Sequence, residues 1–307
     1  MAGKYRQRTT VLLVAMADSV HTARWLEQFA GRPVDFILFP STPNRRVHPD
    51  IERLVRAPES VGGLSVKLAP GSRTLSLILG VLDLLTEHRL KGVWLKYVIK
   101  QCDSDFIHAL EFQHAGYILL HACRRQKPGP TIIVTNWGSD IYWFKRFPRH
   151  LVRIKRLLQL ADAYSSECYR DLRIARELGF AGYELPVIPN AGGLPSYELS
   201  LRAREQPPST RNIVLVKGYD RFVGLAQIAL DAVELCADSL GAYTIIVYSA
   251  SERVQRRVDK IRNRHGLAIC STAPYEYSHG EMLELFLSAR VYLGMSRSDG
   301  TVSYTHL

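Results

Sequence analysis

Six polar loops hold the residues able to do chemistry in this 307-residue chain: 18–21, 108–111, 138–140, 190–193, 217–221 and 296–300. Each follows a short apolar run. Lys217 and Gly218 come directly after such a run, with Arg221 close behind. Fixed cations there can neutralise a diphosphate leaving group, because charge developing in a transition state is met best by groups already in place. Ser298, Asp299 and Gly300 offer a hydroxyl, a carboxylate and backbone N–H groups to a ligand. His21 fits a base or a substrate contact, although a lone histidine is more often structural. Asp140 closes the Gly138-Ser139-Asp140 turn and fits either a reacting centre or a helix cap. His114 and His121 lie seven residues apart with no third ligand at metal spacing, so a metal site is not expected. No G-x-G-x-x-G, Walker, G-x-S-x-G or H-E-x-x-H motif occurs. That weakens dehydrogenase, P-loop NTPase, serine hydrolase and zincin readings.

The elements that must position these loops follow from periodicity. Short β-rich runs alternate with helical patterns along the whole chain, the signature of βαβ units and a parallel sheet. Strands are expected near 10–16, 34–39, 64–68, 105–110, 131–135, 163–166, 185–188, 213–216, 243–248 and 291–295. Helices are expected after 21, over 75–100, 111–125, up to 163, 169–178, 223–235 and 251–265. Residues 40–61 read as irregular. Trp94, Leu95 and Val98 form an apolar face that Lys91, Lys96 and Lys100 edge with cations. Ser278 and Glu281 have capping-box spacing, ahead of Met282, Leu285, Phe286 and Ala289 on one helical face. Residues 191–211 gather Pro195, Pro207 and Pro208 with Gly and Ser, which marks the best boundary in the chain. The expected division is a domain over 1–195, a linker over 196–210 and a second domain over 211–307. Loops from both domains would then face one another across a cleft.

Bulk properties narrow the class. The apolar fraction of 47% supports a sizeable core, and no uncharged apolar stretch reaches the 18 or so residues a membrane span needs. Residues 11–17 are too short and lack a cleavage site for a signal peptide. Five scattered cysteines without a C-x-x-C pair fit reduced thiols in the cytoplasm. The net charge of +11 suits an anionic partner. Between 141 and 158 there are six Lys or Arg and no acid, interleaved with aromatics, which fits an acidic membrane surface or an anionic acceptor.

The stretches VLLVAMADSVHTARWLEQFA, DFIHALEFQHAGY, IIVTNWGSDIYWF, ADAYSSECYRDLRIARELGF, VIPNAGG, IVLVKGYDRFVGLAQIALDAVE and YSHGEMLELFLSARVYLGMSRSDGT, in that order, resemble a family 4 glycosyltransferase of the GT-B type. The resemblance implies an α/β fold of two Rossmann-like domains across a cleft. It implies transfer of a sugar from a nucleotide-sugar, with retention and no essential metal or other cofactor. The acceptor would be a glycan or lipid-linked, in bacterial envelope or exopolysaccharide synthesis at the inner face of the membrane. By motif position, Lys217, Gly218, Arg221, Ser298, Asp299, Gly300 and Thr301 resemble the donor site. Asp18, His21, Glu111, Gly138 and Ser139 fall on the acceptor side, with Asp140 and His108 nearest the reacting centre. Two departures stand out. The first strand–helix loop lacks the family's Gly-Gly. Residues 302–307 do not match the helix expected after the Ser-Asp-Gly-Thr position, so the second domain reads as incomplete, without its ribose-binding carboxylate, and turnover by this chain is expected to be weak or absent. The alternatives are a nucleotide-sugar 2-epimerase of the same fold and a basic nucleic-acid-binding protein. The second lacks any recognisable nucleic-acid module.

Overall fold

The computed structural model describes residues 8–42, 47–58, 62–72, 75–123, 129–190, 199–202, 206–221, 223–274 and 276–298. The chain divides into two compact units, Met1–Gly193 and Leu194–Leu307.

Unit 1 runs β1 (Thr9–Ala15), α1 (Val20–Glu27), β2 (Val34–Pro40), α2 (Pro49–Arg56), β3 (Ser65–Leu68), α3 (Leu75–Thr86), α4 (Arg89–Gln101), β4 (Phe106–Leu110), α5 (Tyr117–Ala122), β5 (Thr131–Thr135), α6 (Pro148–Leu160), β6 (Ala163–Ser165), α7 (Tyr169–Glu177) and β7 (Tyr183–Glu184). Its seven strands lie in the order β3-β2-β1-β4-β5-β6-β7, and every pairing is parallel. Side chains alternate across the sheet, so β1 sends Leu12 and Val14 into one core and Val11, Leu13 and Ala15 into the other. Helices α4 to α7 cover the first face, α1 and α2 the second. Burial on both faces explains why these strands read as continuous apolar runs.

Unit 2 repeats the plan with β8 (Ile213–Lys217), α8 (Ala226–Leu235), β9 (Thr244–Tyr248), α9 (Glu252–His265), β10 (Ile269–Ser271), α10 (His279–Ser288) and β11 (Ala289–Leu293). The sheet order is β10-β9-β8-β11, again parallel. Residues of α8 and α9 pack on one face and those of α10 on the other. The capping box at Ser278 and Glu281 is present at the start of α10. Ser251 caps α9, and Gly266, at φ 63°, ends it in the left-handed conformation glycine adopts without strain.

The structure departs from the sequence reading in places that share a cause. Helix α2 lies inside the stretch read as irregular. It has only Ile51 and Leu54 to bury, and its start is fixed by His48, whose ring accepts from Asp50 N–H, and by Pro49. The expected 75–100 helix is two helices, broken where Glu87 and His88 take φ 50° and 74°. The expected 111–125 helix opens with a π-turn at Phe112–Gly116. β7 lies at 183–184, ahead of the expected 185–188, and β10 carries too few residues to be read from sequence. β11 starts two residues earlier than expected and is not buried throughout: Val291 is half exposed on an edge strand.

Candidate functional site

In each unit the strand order reverses between the first strand and its neighbour on the other side, at β1/β4 and at β8/β11. Open α/β sheets bind ligands beyond the carboxyl ends of strands at that switch point. Residues 18–21 follow β1, 108–111 close β4, 138–140 follow β5, 217–221 close β8 and 296–298 follow β11.

In unit 1 the β4 loop begins at Glu111. Its backbone, at φ 81° and ψ 154°, occupies a region that is essentially glycine's. Strain of that kind persists only where surrounding bonds over-determine it. Here Glu111 N donates to Thr135 O at 3.0 Å, and its carboxylate accepts from the N–H groups of His114 and Ala115. The side chain is buried, and burial pushes its carboxyl up to about 7 against the pull of those N–H groups and of Lys91. Between its ordinary value of 4.5 and about 7, the folded chain holds a proton that the unfolded chain has lost. Glu111's contribution to stability therefore falls as pH rises through that interval, while the depressed His88 and His108 contribute with the opposite sign. In thermal melts the difference between wild type and Glu111→Gln should shrink as pH rises across it; a difference that does not change with pH removes this proton from Glu111.

Asp140 is also buried, and its carboxyl is raised well above the usual range by burial first and by Glu111 second. Its Oδ2 accepts from Phe112 N–H at 2.9 Å and from Trp137 N–H at 2.8 Å. One oxygen thus joins the β4 loop to the β5 loop. His108 lies within β4, with Nε2 2.7 Å from Thr135 Oγ1 and Trp25 against its ring at 5.1 Å. Burial lowers it to about 3, so the imidazole is neutral and packed. The two residues placed nearest the reacting centre therefore carry scaffold bonds. Asp18 Oδ1 accepts from Thr42 Oγ1 at 3.1 Å, and His21 packs edge-on to Trp137 at 5.9 Å. Gly138, at φ 43°, and Ser139, whose carbonyl accepts from Trp143 N–H, shape the turn between them. Asn190 is buried and donates to Asn136 O, while 191–193 lie outside the described residues.

Lys91 was missed as a site residue. It lies on the apolar stripe with Trp94, Leu95 and Val98, not at its edge, and is 1% exposed. Its Nζ donates to Ser41 O at 2.9 Å, at the carboxyl end of β2. Burial lowers it to about 8, opposed by Asp83, Asp18 and Glu111. A Lys at i, with buried residues at i+3, i+4 and i+7, was the available signal. Asp83 braces the same corner by accepting from Lys91 N–H and Thr86 Oγ1. Ser41 Oγ and His114 Nδ1 are buried with no partner among the described residues.

In unit 2, Lys217 ends β8. Gly218 follows, and a Cβ there would stand 2.7 Å from Tyr248 O and 2.9 Å from Ala250 Cα, so only glycine lets the loop pass β9 so closely. The loop after β8 is joined to the loop after β11 by a Gly224–Ser296 bridge, with Arg297 N–H donating to Val223 O at 2.7 Å. Lys217, Gly218, Arg221 and buried Ser298 thus share one end of two adjacent strands. Asp299, Gly300 and Thr301 lie outside the described residues. Among the described residues no His/Cys/Asp/Glu group is arranged to hold a metal, and no helix is long and apolar enough to cross a membrane.

No protein-family profile matches the chain, and no curated protein matches its sequence. Solved structures do. A UDP-forming trehalose-phosphate synthase from Burkholderia xenovorans, in complex with glucose-6-phosphate, aligns at 13% identity and TM-score 0.61 over 96% of this chain and 82% of its own. The fold is of the GT-B type. A UDP-N-acetylglucosamine 2-epimerase from Rickettsia bellii aligns at 11% identity and TM-score 0.57 over 93% of this chain and 73% of its own. Anabaena Alr3699/HepE, in complex with UDP-glucose, aligns at 11% and 0.54 over 94% and 74%. At these identities the likeness carries the GT-B architecture and leaves the chemistry to the site.

Proposed function

We propose that the chain is a family 4 glycosyltransferase that moves a sugar, with retention, from a nucleotide-sugar to a glycan or lipid-linked acceptor in envelope or exopolysaccharide synthesis. The observation that carries this reading is the placement of Lys217, Gly218 and Arg221 at the carboxyl end of β8, beside the β11 loop, in a GT-B chain. Two fixed cations there suit a diphosphate leaving group without an essential metal. Ser298 stands on the same edge, and Asp299, Gly300 and Thr301 follow it in sequence. In unit 1 the acceptor would meet the edge built by Asp18, His21, Glu111, Gly138 and Ser139. Ser41 Oγ and His114 Nδ1 are orphaned polar groups of the kind a sugar hydroxyl satisfies. Asp140 enters as the group that fixes the loops at that edge, and His108 as packing behind it. The basic α6 region exposes Phe147 and Val152 among Arg149, Arg153 and Arg156, which suits contact with an acidic membrane at its inner face.

One observation favours a second reading. Glu111, held near neutrality beside a second buried carboxyl, suits proton abstraction, as an epimerase of this fold requires. The experiment offers UDP-glucose and UDP-N-acetylglucosamine to the chain, with and without a polyprenyl-linked acceptor. A new glycosidic bond supports transfer. An epimerised free nucleotide-sugar supports the second reading. Failure to bind UDP at all overturns both.

A further inference from the structure

We propose that the groove between α8 and α9 of unit 2 binds a linear, base-free polyanion of the acidic-polysaccharide class. The groove encloses about 530 Å³ and is lined by Arg253, Arg256, Arg257, Lys260 and Arg264, with Gln227 and Glu234 opposite. Glu234 is the carboxylate in the lining, and Asp220, Asp231 and Glu252 adjoin the five cations from outside it.

These cations divide by what they touch. Arg257 forms the floor: it donates to Gln227 O, to Asp231 Oδ1 at 2.5 Å and to Glu234 Oε2 at 2.7 Å. That bond set locks α9 to α8 and uses up both of these carboxylates. Arg253, Arg256 and Arg264 are 76%, 71% and 77% exposed, and their nearest carboxylates stand 3.9 to 4.0 Å away. Exposed pairs at that range are worth little. Lys260 forms no ion pair among the described residues. The four are therefore available to a ligand.

Their spacing defines its shape. Positions 253, 256, 260 and 264 recur once per turn, so one positive charge stands every ~5.4 Å along ~16 Å of helix. A stripe of that geometry matches a chain with regularly repeated negative charge better than a single compact anion. Two other polyanionic partners fit less well. None of the lining residues is aromatic, and single-stranded nucleic acid is normally held by base stacking on aromatic side chains beside the cations. The apolar residues of α9, Val254, Val258 and Ile261, are buried on the sheet, so the cationic helix itself offers no apolar face to a lipid interface; the exposed Ile228 and Leu235 belong to α8. A hydrated carboxylated glycan needs neither. The stripe starts at Arg253, beside Asp220 of the β8 loop, and runs away from the carboxyl edge. At that end it adjoins the β8 loop assigned to the donor, and its remaining turns extend beyond it.

The test uses a fluorescent oligogalacturonate, a neutral oligosaccharide of equal length and single-stranded DNA of equal charge, read by anisotropy over a salt series. The expected result is binding of oligogalacturonate whose log affinity falls linearly with log salt, no binding of the neutral sugar, and weaker binding of DNA. The triple variant Arg253→Gln/Arg256→Gln/Lys260→Gln should bind at least tenfold more weakly, with a shallower salt slope and an unchanged melting temperature. A control with the exposed Arg56, Lys67 and Arg173 of unit 1 changed to Gln loses the same net charge and should keep wild-type affinity. Wild-type affinity in the groove variant, equal loss in the control, or a preference for DNA would each overturn the assignment.

Discussion

Asp140→Ala should cost unit 1 roughly 3 kcal/mol, the largest stability effect expected of any single substitution at the candidate site. The side chain is small, so little packing is lost. What is lost is the acceptor shared by Phe112 and Trp137 N–H. Phe112 opens the π-turn and Trp137 sits in the β5 loop, with no neighbouring strand to take over either N–H, and a buried donor left unmade costs about 1–3 kcal/mol. Asp140→Asn makes the comparison decisive. Burial and Glu111 already favour the neutral carboxyl, and the amide keeps an oxygen in place at no charge. It should therefore recover most of the loss in urea melts. If the alanine variant melts as the wild type does, the brace carries no weight. If the asparagine variant keeps wild-type stability but loses turnover that the wild type shows, Asp140 acts chemically as well as structurally.

Lys217→Ala should weaken UDP binding about tenfold to a hundredfold while the melting temperature holds. Hydrogen bonds to charged groups contribute about 1.5–3 kcal/mol, and each 1.4 kcal/mol is a factor of ten in affinity. Lys217 is the final residue of β8, only partly buried, and its removal leaves the apolar positions Val214, Leu215 and Val216 intact. Lys217→Arg should recover part of the affinity, since charge is kept and geometry is not. Calorimetric titration with UDP is the direct readout. An unchanged dissociation constant would remove the diphosphate from this loop, and with it the observation on which the transferase reading rests.

The alternation of strand and helix was legible because it is written locally: runs such as 10–16 and 131–135, and the Ser278/Glu281 pair. What escaped was written at long range. Helix α2 is stabilised by Ile51 and Leu54 reaching the β1–β3 face, which its polar neighbours conceal. The break at Glu87 and His88 is fixed by Asp83, whose carboxylate bonds forward to Thr86, His88 and Lys91. Lys91 reads as a solvated cation until its stripe position is set against the Ser41 carbonyl fifty residues away. The candidate loops stand out in the sequence because polar residues after apolar runs are visible. Their bonding does not, because Glu111 and Asp140 are held by backbone N–H groups, and every residue but proline has one of those.

The reversal of strand order has a consequence for descent. Chain leaving β1 enters α1 on one face, and chain leaving β4 enters α5 on the other. Lengthening either loop therefore displaces no strand and disturbs neither helix layer, and each doubling of a loop costs only about 0.6 kcal/mol. The α3–α4 hairpin between β3 and β4 is a large insert the sheet already accommodates. Lineages sharing this scaffold can exchange substrates by rewriting the carboxyl-edge loops while inheriting the strands. Specificity can then change in the loops while the strands stay, and solved structures at 11–13% identity still align over more than nine-tenths of the chain.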